Sequence, residues 1–258
     1  MIEFIVVFTI GFFVSIVSGI LGLGGAVILI PAYLYFPSLF GIKELEIKTI
    51  SGLTSIQVFA SSVLGVLVHK KKGSVDNSLL LTIGIPMTFA AFAGALVSDL
   101  IDGKFIILIF ACMAVIGSIL MFVNKKTADA ELTYDNNEFN KKLALIIALF
   151  VGLFGGIVGA PGAFLLAPLM ISVLKIPVRI TIGSTLGIVL LTSFSASLGK
   201  IIAGQVNYLL TLYAVLGSIA GVYIGSNLSY KFKPKFLRIS LAVLIIGIAV
   251  EMLYKFFS

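Results

Sequence analysis

Long apolar runs, each closed by a short polar or charged cluster, set the rhythm of this chain. Residues 79–98, 105–123, 181–199 and 207–229 contain no Asp, Glu, Lys or Arg, and most approach the roughly 20 residues a helix needs to cross the hydrocarbon layer. A further run, 239–250, reaches that length only by taking in Leu237 or the residues after Glu251. Residues 4–36 form one apolar stretch too long for a simple span, interrupted by Gly22, Gly24 and Gly25. Each arm then has about 12 to 17 residues, enough at ~1.5 Å per residue to reach the midplane and return. This predicts a re-entrant helix pair. A polar loop, Pro37 to Lys48, precedes a run that ends at His69-Lys70-Lys71-Lys72.

The same layout comes twice. Gly19-Ile-Leu-Gly22-Leu-Gly24-Gly25-Ala26-Val-Ile-Leu-Ile-Pro31 overlays Gly156-Ile-Val-Gly159-Ala-Pro161-Gly162-Ala163-Phe-Leu-Leu-Ala-Pro168, 137 residues later. Beyond the loop the offset becomes 131, and Gly52, Thr54, Ser62, Gly73, Gly94, Ser98, Lys104 and Phe105 meet Gly183, Thr185, Ser193, Gly204, Gly225, Ser229, Lys235 and Phe236. Chance matches of Leu or Val are common in apolar sequence, but this order of Gly, Pro, Thr and a Lys-Phe pair points to duplication. The expected organisation is a first membrane repeat over 1–123, a polar cytoplasmic linker over 124–142 and a second repeat over 143–258. Internal repeats of this kind are the usual plan of secondary transporters.

Orientation follows from the basic residues. If each glycine-broken pair returns to the side it entered, each half crosses three times, and thirteen of the eighteen Lys and Arg fall on one side. Four crossings per half divide them evenly. The positive-inside rule prefers the first arrangement, and repeats with an odd number of crossings are inverted. The expected fold is therefore an all-α polytopic membrane protein of two inverted repeats, each a glycine-broken re-entrant helix pair followed by three transmembrane helices. A seven-span version, with residues 4–36 crossing once, stays open. The bulk numbers agree: 258 residues, 60% hydrophobic and 11% charged, with mean hydropathy +1.20, against the roughly quarter of charged residues in soluble domains. The net charge of +7 sits in the segments between apolar runs, so no nucleic-acid partner is expected. Cys112 is the single cysteine, and residues 1–20 lack a basic n-region or a cleavage site, so no removable signal is expected.

The two glycine breaks are the candidate functional centre, because irregular backbone at membrane depth is tolerated only where protein or a cavity covers it. Gly22, Gly24 and Gly25, with Gly159, Pro161 and Gly162, place backbone N–H groups at the start of a short helix. Such a terminus carries roughly half a positive charge and unpaired donors, an anion site without a basic side chain. Ser51, Thr54, Ser55 and Gln57, with Thr181, Ser184 and Thr185, stand at the start of the following span in each half and supply hydroxyl and amide groups for an anion's oxygens. Equally, such residues bond their own helix or a neighbour. Pro86, Ala90, Gly94 and Ser98, and their partners Gly217, Gly221, Gly225 and Ser229, recur every fourth residue, which predicts close helix packing. No carboxylate lies inside a span, and no hydrolytic or metal-binding constellation can be assembled. An enzyme is disfavoured, with no metal and no cofactor expected.

These features resemble the sulfite exporter TauE/SafE family of membrane anion transporters. The carriers are Gly24-Gly25 with Pro31, Pro161-Gly162-Ala163 with Pro168, and the phrase Arg179-Ile-Thr181-Ile-Gly183-Ser184-Thr185-Leu186 that opens the next span. In the first half the corresponding phrase, Thr49-Ile-Ser51-Gly52-Leu53-Thr54, departs from that order. The resemblance implies transport of sulfite, thiosulfate, a sulfonate or a related organosulfur or carboxylate anion across a prokaryotic cytoplasmic membrane. Expected partners are that small anion, membrane lipid and, left open, a coupling proton or cation. The alternatives are an anion channel without ion coupling and a non-transporting membrane scaffold.

Overall fold

A computed structural model describes residues 2–21, 25–42, 45–71, 75–123, 139–160, 162–229 and 231–257. Gly22, Gly24 and Pro161, and most of the linker (124–138), lie outside these. Among the described residues the chain is helical, with no strand. The first half contains α1 (Ile2–Leu21), α2 (Ala26–Leu39), α3 (Ile47–Lys71), α4 (Asn77–Leu79), α5 (Ile85–Val97) and α6 (Gly103–Val123). The second contains α7 (Lys141–Val158), α8 (Ala163–Ser172), α9 (Val178–Ile202), α10 (Tyr208–Ser229) and α11 (Pro234–Phe257). Among the described residues, seven stretches are long and apolar enough to cross a membrane. Phe13, Phe89, Ile146, Leu212 and Val243 stay exposed on their outer faces, as a lipid-facing surface requires.

Local chemistry accounts for the starts and interruptions. Asp76 accepts from the backbone N–H of Ser78 and Leu79 at the start of α4. Asn140 accepts from Leu143 N–H at α7, and Asn207 from Leu210 N–H at α10. Such side chains satisfy N–H groups that a helix start leaves without acceptors. Between α4 and α5 the helix widens to π geometry over Leu80–Gly84, just before Pro86. Proline has no N–H to donate and crowds the carbonyl four residues back, and the wider turn absorbs both defects.

Glycine decides which helices touch. A Cβ added at Gly217, Gly221 or Gly225 of α10 would meet the carbonyl oxygens of Phe8, Phe12 and Ile16 of α1 in turn. The residue numbers rise together, so α1 and α10 run parallel in backbone contact. In the same way Gly152 and Gly156 of α7 lie against the backbone of Met87 and Ala91 of α5. α1 of the first half thus packs on α10 of the second, and α7 of the second on α5 of the first. The stripe predicted from the sequence is a packing surface. α3 and α9, the most enclosed spans, run opposite ways: Gly52 lies against Gln205 and Gly65 against Leu186.

One expectation needs correction. The arms of the first glycine-broken pair are unequal, because α1 has 20 residues and α2 has 14. α1 is held along its length by α10, as far as Gly19 beside Ser226, so it does not stop after 12 to 17 residues. The chain still turns back: Gly25 lies beside Ser18, and the Tyr33 hydroxyl reaches the Val7 carbonyl at 3.4 Å.

Candidate functional site

The second break joins α7 to α8. α7 ends at Gly159, whose φ of 76° is left-handed, and α8 starts after Gly162, with φ of 61°. These conformations suit glycine because they carry no Cβ penalty. Around them the backbone is enclosed: a Cβ at Gly159 would meet Ser51, and one at Gly162 would meet Val151 and Met87. Gly162 O closes the first turn of α8 by accepting from Leu165 N–H at 3.1 Å and Leu166 N–H at 2.8 Å. At the first break Gly25 has φ of 96° and precedes α2, and its carbonyl accepts from Ile28 and Leu29 N–H, both at 3.0 Å. The two short helices α2 and α8 touch each other.

The predicted polar residues divide into three groups. Thr54 and Ser55 reach the second break, where both hydroxyls donate to Gly159 O, at 3.0 and 3.3 Å. Both also bond within α3, Thr54 to Ile50 O at 2.8 Å and Ser55 to Ser51 O at 2.9 Å. They hold the carbonyl side of the turn, and their protons are directed at backbone oxygens. Gln57 lies one turn deeper, fully buried, and its Oε1 accepts from the Tyr33 hydroxyl at 3.0 Å. Its Nε2 finds no partner among the described residues. Ser184 and Thr185 are not brought to Gly159: Ser184 Oγ accepts from Asp76 N–H at 2.9 Å, and Thr185 Oγ1 lies 3.6 Å from Met170 Sδ. The offset of 131 makes Thr185 the counterpart of Thr54, and the offset of 137 makes Gly22 the counterpart of Gly159; Gly22, like Gly24 and Pro161, lies outside the described residues.

Ser51, from the predicted polar cluster, stands apart from these groups, and one buried residue was not singled out from the sequence. Ser51 Oγ is buried without a partner among the described residues, beside the α-carbon of Gly159. Lys200, counted as a lysine between spans, is fully buried in the last turn of α9. Its Nζ donates to Ser98 Oγ at 2.7 Å, Ile157 O at 3.0 Å and Gln205 Oε1 at 3.0 Å. The signal was present: Lys200 is followed by Ile201 and Ile202 before the turn at Gly204, which keeps it inside the helix.

The hydroxyl pair yields a direct prediction. Replacing Thr54 by Val and Ser55 by Ala together strips Gly159 O of both side-chain donors inside the protein. A lost buried hydrogen bond costs about 1 kcal/mol, more when its partner is left unsatisfied. The double variant is expected to melt several degrees lower in detergent and to transport at least tenfold more slowly, whereas Thr54→Ser keeps both properties. Unchanged melting and uptake in the double variant would show that the turn does not depend on these bonds.

Comparisons with known proteins find membrane transporters. A model of the family described as Sulfite exporter TauE/SafE matches residues 7–252. A probable membrane transporter protein of Methanocaldococcus jannaschii is 24% identical over 243 residues, covering 90% of this chain and 89% of its own. The probable membrane transporter protein YunE of Bacillus subtilis is 21% identical over 268 residues and covers 98% of both chains. A probable membrane transporter protein of Xylella fastidiosa is 24% identical, covering 95% of this chain and 93% of its own. No solved structure matches the chain.

Proposed function

The chain belongs to the sulfite exporter TauE/SafE family of membrane transporters, and from that premise we propose that it is a secondary transporter of a small anion. The substrate class is sulfite, thiosulfate, a sulfonate or a related organosulfur or carboxylate anion, and the setting is a prokaryotic cytoplasmic membrane. The anion binds at the glycine breaks that open α2 and α8, two helices that touch each other. The observation that carries this is the buried start of α8 at Gly162, with the unpartnered Ser51 hydroxyl beside the same turn. A helix start directs backbone N–H groups and a partial positive charge at whatever it faces, and a hydroxyl there has a proton to give. Gln57 Nε2, held by Tyr33, is a second free donor deeper in the protein. Thr54 and Ser55 shape the site by holding Gly159 O. The sequence repeat adds Gly22, Gly24 and Pro161 to the proposed site, together with Thr185, the counterpart of Thr54, and its neighbour Ser184.

The halves act as inverted repeats. In support, α3 and α9 run antiparallel, while α1 pairs with α10 and α7 with α5 in matching parallel fashion. A half-turn about an axis in the membrane plane produces that exchange, and such repeats enclose a binding site that each side reaches in turn.

The test is uptake into proteoliposomes, alongside thermal shift of the purified protein, for sulfite, thiosulfate, sulfate, taurine, sulfoacetate and short carboxylates. Saturable uptake of at least one, with a matching rise in melting temperature, is the expected result. Flux that never saturates would make the protein a channel, and no shift or flux with any of them would leave a scaffold.

A further inference from the structure

We infer that Lys200 supplies the net positive charge of the second glycine break and sets its preference for more highly charged anions. This rests on the anion-transport reading above and names the residue that fixes the sign and strength of that site. A glycine break in a helix is electrostatically ambiguous by itself. The carbonyl end of α7 and the amide end of α8 meet there, and helix ends carry roughly half a charge of opposite sign. At close range the two nearly cancel, so the N-terminus of α8 alone does not make an anion site.

The surroundings resolve this in one direction. The donors packed on the turn are directed at the carbonyl end: Thr54 and Ser55 at Gly159 O, and the Lys200 ammonium at Ile157 O. Side-chain donors thus engage these carbonyls, which tips the balance at the turn toward the amide end of α8. Lys200 adds an ammonium group, and its three acceptors, Ser98 Oγ, Ile157 O and Gln205 Oε1, are all neutral. Among the described residues the nearest carboxylate in this network is Asp99, which Gln205 Nε2 reaches at 3.4 Å. Asp99 is itself more than half exposed and is paired at 3.8 Å with Lys48. The positive charge is thus enclosed and uncompensated at contact. With its three N–H groups engaged, Lys200 acts through its field and not by touching the anion. It is a positioning and specificity residue.

A field acts in proportion to the charge it meets, whereas a structural defect does not. At the effective dielectric of a protein, one charge some 10 Å from another changes affinity by roughly tenfold. Replacing Lys200 by Met is therefore expected to weaken binding of a monovalent sulfonate by about tenfold and of a divalent anion of similar size by about a hundredfold. The measurement is competitive uptake of methanesulfonate against sulfate or thiosulfate in proteoliposomes at pH 6, where all three anions are fully ionised. Lys200→Arg should restore the wild-type ratio. Should Lys200→Met fail to fold, Lys200→Gln, which keeps a donor for Ile157 O, serves instead. A folded neutral variant that loses both anions by the same factor would overturn the assignment while leaving the transport reading intact. A wild-type protein that moves none of them would overturn both.

Discussion

Adding one methyl group at Gly159 is expected to stop transport, with uptake falling to roughly one-hundredth of wild type or less, the scale on which a misplacement of about 1 Å acts at a reacting centre. Two independent effects act together. The left-handed conformation of Gly159, with φ of 76°, costs an L-residue about 1–2 kcal/mol. The new Cβ would also meet the carbonyl and hydroxyl oxygens of Ser51. One of those is backbone within α3 and cannot rotate away. Either the turn moves off α3, breaking the Thr54 and Ser55 bonds to Gly159 O, or α3 itself shifts. Both outcomes displace the start of α8.

A control separates conformation from collision. Gly41 has a similar φ of 69° with nothing within 4 Å of an added Cβ, so Gly41→Ala carries the conformational cost alone. It is expected to lower stability slightly and leave uptake near wild type. If Gly159→Ala transports as well as Gly41→Ala does, the second break is not the transport site. At the first break, a Cβ on Gly25 meets Leu29 at 3.0 Å and Ser18 Oγ at 3.3 Å. Gly25→Ala is therefore better tolerated than a large residue at Gly162, where Val151 and Met87 leave no room.

Much of this architecture was legible in the chain because membrane insertion simplifies the code. A backbone in lipid bonds within itself, so runs such as 207–229 become helices, here α10. The doubled glycine turns were legible because left-handed backbone has few solutions in L-residues, and Gly25, Gly159 and Gly162 each adopt it. Arm length was not, because it is fixed by a partner distant in sequence: α1 extends to 20 residues by lying along α10. The polar residues show a second limit. Thr54 and Ser184 look alike beside a span start, yet the Thr54 hydroxyl meets Gly159 O and Ser184 Oγ meets Asp76 N–H. Which partner a hydroxyl finds depends on helix rotation, which apolar sequence all round a helix barely encodes. Lys200 was missed because charge counting treats a lysine near a span end as solvated, and only the packing of Ser98, Gln205 and the end of α7 encloses it.

The glycine stripes carry the other large effect, and its sign is the test. In an exposed helix, Gly→Ala raises stability by up to about 1 kcal/mol, because alanine forfeits less backbone freedom. Gly221 and Gly156 are interior helix positions, so propensity alone predicts stabilisation in both. The packing predicts the reverse. An added Cβ at Gly221 would meet Phe12 O of α1 and stand 3.0 Å from Ser15 Cβ, and at Gly156 it would fall on the backbone of Ala91. Neither carbonyl can move without shifting a whole helix, and overpacking of this kind costs about 1–3 kcal/mol. Each pair also joins the two halves, α1 to α10 and α7 to α5, so separating one loosens the frame that holds the breaks together. Gly221→Ala and Gly156→Ala are each expected to melt markedly below wild type in detergent, and the double variant to fail to accumulate in membranes. Gly247 of α11, with nothing within 4 Å of an added Cβ, gives the reference: there Gly→Ala should follow propensity and leave melting unchanged or slightly raised. If Gly221→Ala and Gly156→Ala instead track Gly247→Ala upward, the helix pairs do not meet at their glycines, and the exchange of helices between the halves loses its physical basis.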